Sequence, residues 1–242
     1  MKAVEDIQMR FGLQQFGFED PMIGLTSGRW STVAADGGSS VAAYATTPFG
    51  GVVALTTGAT NNNEAYLFTP PSFAFAPNKP ARAIGVVSIA EAATDASAWF
   101  WGFMSGVAAD TIVDGGLTFR ASSYGAFFYK VKGSNFLRCG ILNNGTLTGF
   151  TTAIASTGRN TLEVAIEPLA GNRYQVNYAV DDDGGQNPVS IFDATYRYPY
   201  VHEADFGASP TALSLGMGVK AGGANSEVLL TDFNSVGQRI GL

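Results

Sequence analysis

The chain has 242 residues and a mass of 25.3 kDa, the size of one large domain or two small ones, and its 46% hydrophobic content excludes intrinsic disorder. Only 14% of residues are charged, against a norm of about 25%, and Gly (30 residues) with small polar residues makes up the difference, a mixture that favours turn-rich β structure. The net charge of −6 and pI near 4.7 have the wrong sign for gripping a phosphate backbone, which excludes nucleic acid as a partner, and the single cysteine, Cys139, excludes an intrachain disulfide framework or a four-Cys zinc site.

In chain order, residues 1–17 read as a short N-terminal arm. Val4, Ile7 and Phe11 recur at i, i+3 and i+7 with Glu5 and Asp6 early, the pattern of an amphipathic helix, which Gly12, Gly17 and Pro21 end; a frayed terminus is the alternative. Met1 to Pro21 contains Lys2, Glu5, Asp6, Arg10, Glu19 and Asp20 and no apolar run, so no secretion signal is expected and the chain is expected to be made in a cytoplasm. From residue 18 to 242 period-2 alternation takes over, and a single β-sandwich domain is predicted. Strand-like runs cover Gly51–Ala59, Glu64–Thr69, Ala81–Ala90, Ala98–Met104, Ala126–Lys132 and Phe136–Leu142.

Farther on, Leu162, Val164 and Ile166 alternate with Thr161, Glu163 and Ala165. Tyr174, Val176, Tyr178 and Val180 repeat the pattern, then Leu213, Leu215, Met217 and Val219, and finally the run Val228–Ser235. Asp36-Gly37-Gly38, Asn61-Asn62-Asn63, Asp114-Gly115-Gly116, Asn143-Asn144-Gly145, Asp183-Gly184-Gly185 and Ala221-Gly222-Gly223 supply turns between the runs. Many short strands joined by short loops, with no long helical pattern between them and no internal repeat, predict an all-β antiparallel sandwich rather than a βαβ fold, propeller or solenoid. The most apolar stretch, Ala98 to Ala109, is about twelve residues long, short of the roughly 20 a membrane helix needs, so no membrane partner is expected.

Groups able to do chemistry at neutral pH are few. His202 is the only histidine, and without a G-x-S-x-G elbow to supply a serine it reads as a loop residue beside Glu203 and Asp205. Cys139, mid-run in Leu137–Ile141, reads as a small buried hydrophobe. Asp181, Asp182 and Asp183 precede Gly184-Gly185, which suits a hairpin turn; the cluster has hard oxygen ligands of the kind calcium takes, but lacks EF-hand spacing. Glu163 and Glu167 share one strand face, opposite Leu162, Val164 and Ile166. They resemble the E-x-D-x-E strand of sandwich-fold glucanases, with Ala165 in place of the middle Asp and Pro168 directly after. Four residues of strand span about 13 Å, wider than the roughly 5–5.5 Å of a retaining glycosidase pair, so two solvated glutamates are expected. Trp30, Trp99, Trp101 and the run Tyr196–Tyr200 are candidate sugar-stacking aromatics. Trp99 and Trp101 lie in a run apolar on both faces, which favours core packing, and the tyrosine run suits an inter-subunit contact equally well.

Several of these phrases also carry a resemblance. Phe16-Gly17-Phe18-Glu19-Asp20, Trp30–Ala35 with its Asp36-Gly37-Gly38 turn, Gly50–Tyr66, Phe127–Gly133 and Val219–Phe233 resemble structural proteins of tailed bacteriophages with a concanavalin A-like (laminin G-like) jelly roll, often encoded near the major capsid protein. The resemblance runs from about Phe16 to Val236 and contains no catalytic motif. It implies a concanavalin A-like jelly roll with no catalytic, cofactor or metal residues. It further implies a virion structural protein, a head decoration (cement) protein on the outside of the capsid, with the major capsid protein as partner and a homo-oligomer, a trimer by preference. A carbohydrate-binding module on a phage tail or fibre, with glycan as partner, is the main alternative, and a glycoside hydrolase relying on Glu163 and Glu167 the remote one. Jelly rolls host many unrelated functions, so the fold alone does not choose among these.

Overall fold

The computed structural model describes residues 15–20, 22, 25, 28–34, 36–47, 50–76, 79–91, 97–113, 118–156, 158–181, 200–205 and 212–239. The expected helix around Val4, Ile7 and Phe11, the Asp182-Asp183 part of the acidic cluster and the stretch Tyr196–Pro199 lie outside the described residues.

Sixteen strands follow one another among these residues: β1 (Gln15–Asp20), β2 (Ser31–Val33), β3 (Ser40–Thr47), β4 (Gly50–Thr56), β5 (Glu64–Phe68), β6 (Phe73–Ala74), β7 (Ala81–Ala90) and β8 (Ser97–Met104), then β9 (Gly125–Lys130), β10 (Phe136–Asn143), β11 (Thr146–Ala155), β12 (Gly158–Pro168), β13 (Arg173–Asp181), β14 (Tyr200–Asp205), β15 (Ala212–Ala221) and β16 (Val228–Arg239). They form two eight-stranded sheets in which every pairing is antiparallel. The first runs β14-β13-β12-β7-β16-β4-β3 with β1 also on β16; the second runs β11-β10-β9-β8-β15-β5-β2 with β6 also on β15. No described residue is helical. The chain is an all-β jelly-roll sandwich. Gly17, the last residue of the arm drawn from sequence, pairs with Gly237, so Gln15–Gly17 already belong to the first sheet.

Alternation located the strands that bury one full face, such as β7, β12, β13 and β15. It did not reveal β3 and β11, which lie at sheet edges and are built from Ser, Thr, Ala and Gly with few large apolar residues. His202 is corrected in the same way: it lies within β14, opposite Val176, and not in a loop. Charged residues in Tyr200–Asp205 hid an edge strand that needs only one apolar neighbour.

The main core fills the space between the sheets. Leu162, Val164, Ile166 and Tyr178 meet Trp99, Trp101, Phe103, Phe128, Met217 and Val219, as alternation required. Phe128 stands edge-on to Tyr178 at 5.4 Å, and the Tyr178 hydroxyl donates to the Gly140 carbonyl at 2.8 Å, which satisfies its one polar group inside the core. Trp30, Trp99 and Trp101 are all buried here, which removes them as an exposed sugar platform.

The outer face of the second sheet is closed as well. Phe100, Met104, Phe127, Tyr129 and Tyr66 point away from the main core and pack under the β8–β9 connection, which contributes Val107, Ile112 and Phe119. Phe119 lies 5.0 Å from Phe127 and 6.1 Å from Phe100. Gly218 makes room for this layer, since a Cβ there would stand 2.0 Å from the Tyr66 ring. A buried ion pair ties the connection down: Lys220 Nζ lies 3.0 Å from Glu64 Oε2 and donates to the Ile112 carbonyl at 2.7 Å. Glu64 also accepts from the Tyr66 hydroxyl and the Asp110 amide, each at 2.6 Å. Burial, then the Glu64 charge, pushes the Tyr66 hydroxyl far above its ordinary pKa, so it stays a proton donor.

Candidate functional site

The outer face of the first sheet carries the polar residues. In register, Ile84 on β7 lies opposite Glu163 on β12, with Arg82 opposite Ala165 and Val86 opposite Thr161. Arg82 is thus a diagonal neighbour of Glu163 and reaches it across the two strands. The two form an ion pair and both are buried, Glu163 completely. The expectation of two solvated glutamates is therefore corrected for Glu163, while Glu167 is half-buried farther along the strand. Alternation placed Glu163 on the right face; it could not show that the face is covered there. A carboxylate buried against a guanidinium is engaged within the sheet and does not face solvent.

Cys139 is buried between Leu137 and Ile141, and burial pushes its thiol well above the ordinary range, so it has the inert character expected from its position. Among the described residues no group of three or more His, Cys, Asp or Glu is placed to hold a metal ion.

A feature missed in the sequence lies in β16. Its pairing with β7 shifts between Thr231 and Phe233: Thr231 faces Val87, Phe233 faces Val86, and Asp232 is the extra residue of a β-bulge. The inward positions change parity there, from Leu229 and Thr231 to Asn234 and Val236, and that break in alternation was the available signal. A hydrogen-bonded chain inside the core holds the bulge. Trp101 Nε1 donates to Asn234 Oδ1 at 2.8 Å, Asn234 Nδ2 donates to Thr231 Oγ1 at 2.9 Å, and Thr231 Oγ1 donates to the Val86 carbonyl at 3.1 Å. Trp101 reaches this position because β7 has Gly85 beneath it, where a Cβ would stand 2.5 Å from the indole.

The bulge turns Asp232 to the outer face, where Arg159 reaches over β7 from β12 and pairs with it. The pair borders a pocket of about 170 Å³ with Ser88 at its side and Val52, Val86, Val87 and Leu230 as apolar lining. Burial raises the Asp232 carboxyl above its ordinary value, and the Arg159 charge opposes this without cancelling it. One carboxylate oxygen, Oδ1, is buried without a hydrogen-bond partner. An apolar floor with a guanidinium, a carboxylate and a hydroxyl at the rim suits a small polyhydroxylated ligand, which offers C–H patches to one and hydroxyls to the other.

No protein-family profile matches the chain, and no curated protein sequence is similar to it. Solved structures do share its fold. A protein of unknown function from Shewanella oneidensis is 14% identical with a TM-score of 0.63, covering 99% of this chain and 95% of that one. Lectin II from Ulex europaeus is 10% identical with a TM-score of 0.64, covering 94% and 100%. An endo-β-1,4-glucuronan lyase from Trichoderma reesei is 11% identical with a TM-score of 0.62, covering 91% and 94%. At this identity the likeness concerns fold alone: the chain has the concanavalin A-like jelly roll that lectins and glycan-acting enzymes share.

Proposed function

We propose that this chain is a non-catalytic structural protein of a tailed-phage virion, a decoration protein that binds the outside of the capsid and has the major capsid protein as its partner. The observation that carries the reading is the set of phrases from Phe16 to Val236 that resemble phage jelly-roll proteins. The disposition of charge supports it: Glu163 is held by Arg82, Glu64 by Lys220, and Glu91 by Lys130 at 2.7 Å, so these three acidic side chains are engaged in holding the sandwich together. Low surface charge suits a broad protein contact, since few ion pairs need to be desolvated. Copy number tests the reading. Calibrated mass spectrometry of purified virions is expected to find about one chain per capsid subunit or one oligomer per local symmetry axis; a few tens of copies per particle, or none, would overturn it.

Carbohydrate binding is the second reading, favoured by the Arg159–Asp232 pocket and by the lectins and glycan-acting enzymes that share the fold. It expects affinity for a bacterial polysaccharide in calorimetry, reduced at least tenfold by Arg159→Ala. Flat titrations across a broad glycan panel would exclude it.

A further inference from the structure

We propose that the edge of β11, which no described strand covers, docks a second copy of this chain, joining the second sheets of two copies into one continuous sheet about a two-fold axis. A sheet edge is a row of unpaired N–H and C=O groups, and proteins guard such rows with short strands, charges, proline or bulges. Each sheet order ends on two strands, and three of these four are guarded; of the strands beside the orders, β1 carries Glu19 and Asp20 and β6 has two residues. β14 carries His202, Glu203 and Asp205; β2 has three residues; β3 is broken by a register shift between Ala43 and Ala45 and is followed by Pro48. β11 is different. It is ten residues long, Thr-Leu-Thr-Gly-Phe-Thr-Thr-Ala-Ile-Ala, with no charge and no proline, and it pairs only with β10 among the described strands. Its register with β10 also shifts, between Phe136 and Arg138, but the shift lies beyond Thr151: Thr146–Thr151 are regular over six residues, and Thr146, Thr148, Gly149 and Thr151 are exposed.

A second observation falls on the same edge. Phe136, one of two large hydrophobic residues exposed among the described residues, lies opposite Ala155 at the far end of β11.

The occupant is a second copy because the edge is complementary to itself. In a chain of net charge −6, a strip without charge is where two copies meet without opposing like charges. Leu147, Gly149 and Thr151 share the outer face with Leu142 and Gly140, while Thr148 and Phe150 share the inner face with Ile141 and Cys139. Antiparallel pairing about an axis through Gly149 keeps those faces: Leu147 of each copy meets Thr151 of the other, and Thr148 meets Phe150. These are β-branched, apolar and aromatic cross-strand pairs of the kind that stabilise sheets. A two-fold contact of this type builds even-numbered assemblies, in place of the trimer implied by the resemblance.

Sedimentation of the full chain tests this. The wild type is expected at twice the 25.3 kDa chain mass, and Thr148→Lys with Thr151→Lys, both at exposed positions, is expected to halve it while circular dichroism is unchanged. Glu203→Lys on the guarded edge serves as control and is expected to leave the mass alone. Hydrogen exchange of the wild type reads the same contact without a variant: amides of Thr146–Thr151 are expected to exchange at least tenfold more slowly in concentrated than in dilute protein. A one-copy or three-copy wild type, an assembly mass that survives the double lysine change, or concentration-independent exchange at Thr146–Thr151 would overturn the proposal.

Discussion

The two outer faces of the sandwich solve the same problem in opposite ways. On the second sheet, the chain between β8 and β9 crosses back over the strands and seals Phe100 and Phe127 beneath Val107, Ile112 and Phe119, so that face is a second core. On the first sheet polar outward residues, Arg82, Arg159, Thr161, Glu163 and Asp232, are mixed with Ile84, Val86 and Ala165; the face is buried around Glu163 and opens at the pocket beside the bulge. Both faces contain a buried ion pair, Lys220–Glu64 under the crossing chain and Arg82–Glu163 on the polar face. The contrast teaches that a sheet face becomes core or surface by what crosses it. Strand alternation alone says only which side chains share a face.

Substitutions can break or sharpen this contrast. The largest effect is expected from Phe100→Ala, which empties the centre of the aromatic layer and should cost about 3–5 kcal/mol in denaturant unfolding. A loss near 1 kcal/mol would mean that the layer is a loose cover and not a core. Glu163→Gln comes next: Arg82 keeps a hydrogen-bonding neighbour but loses the opposite charge, for an expected loss of about 1–3 kcal/mol by the same measurement. A neutral outcome would show that the buried pair is dispensable, as is known for ion pairs that can be replaced as a unit.

Arg159→Ala should change stability by less than about 1 kcal/mol, since Arg159 is half-exposed and surface pairs contribute little. A larger loss in thermal unfolding would place the bulge pair with the buried pairs instead. The smallest and most specific effect belongs to Asp232→Asn. Because the folded protein raises the Asp232 carboxyl above its unfolded value, the charged form opposes folding at neutral pH, and the wild type recovers as pH falls through the raised pKa. The variant should therefore be more stable than the wild type at pH 7, by less than about 1 kcal/mol, and the difference should vanish below the ordinary carboxylate range. A variant less stable at pH 7 would show that the Arg159 pairing outweighs burial.

Glu91 has the opposite sign. Burial pushes its carboxyl up, but hydrogen bonds from Lys130 and Ser97 outweigh this and hold it below the ordinary value, so the stability it contributes is present at neutral pH and is lost as pH falls through the lowered pKa.

Much of this protein was legible in its residues. Period-2 alternation in runs such as Leu162–Ile166 and Leu213–Val219 determined the antiparallel strands and their inward faces, because a strand that buries one side must repeat every second residue. It also placed Cys139 in the core and Glu163 on the outer face. Tertiary structure decided the rest. The partner of Glu163 is Arg82, 81 positions away in the chain, and whether Phe100 is surface or core depends on the segment that crosses it. The Asp232 bulge rests on Trp101 bonding to Asn234 across the sandwich, 133 positions away, and the exposed edge of β11 exists because no other described strand follows it in the sheet. Local patterning can choose a strand and its buried side, but coverage of the other side comes from chain segments distant in sequence, and no local pattern records it.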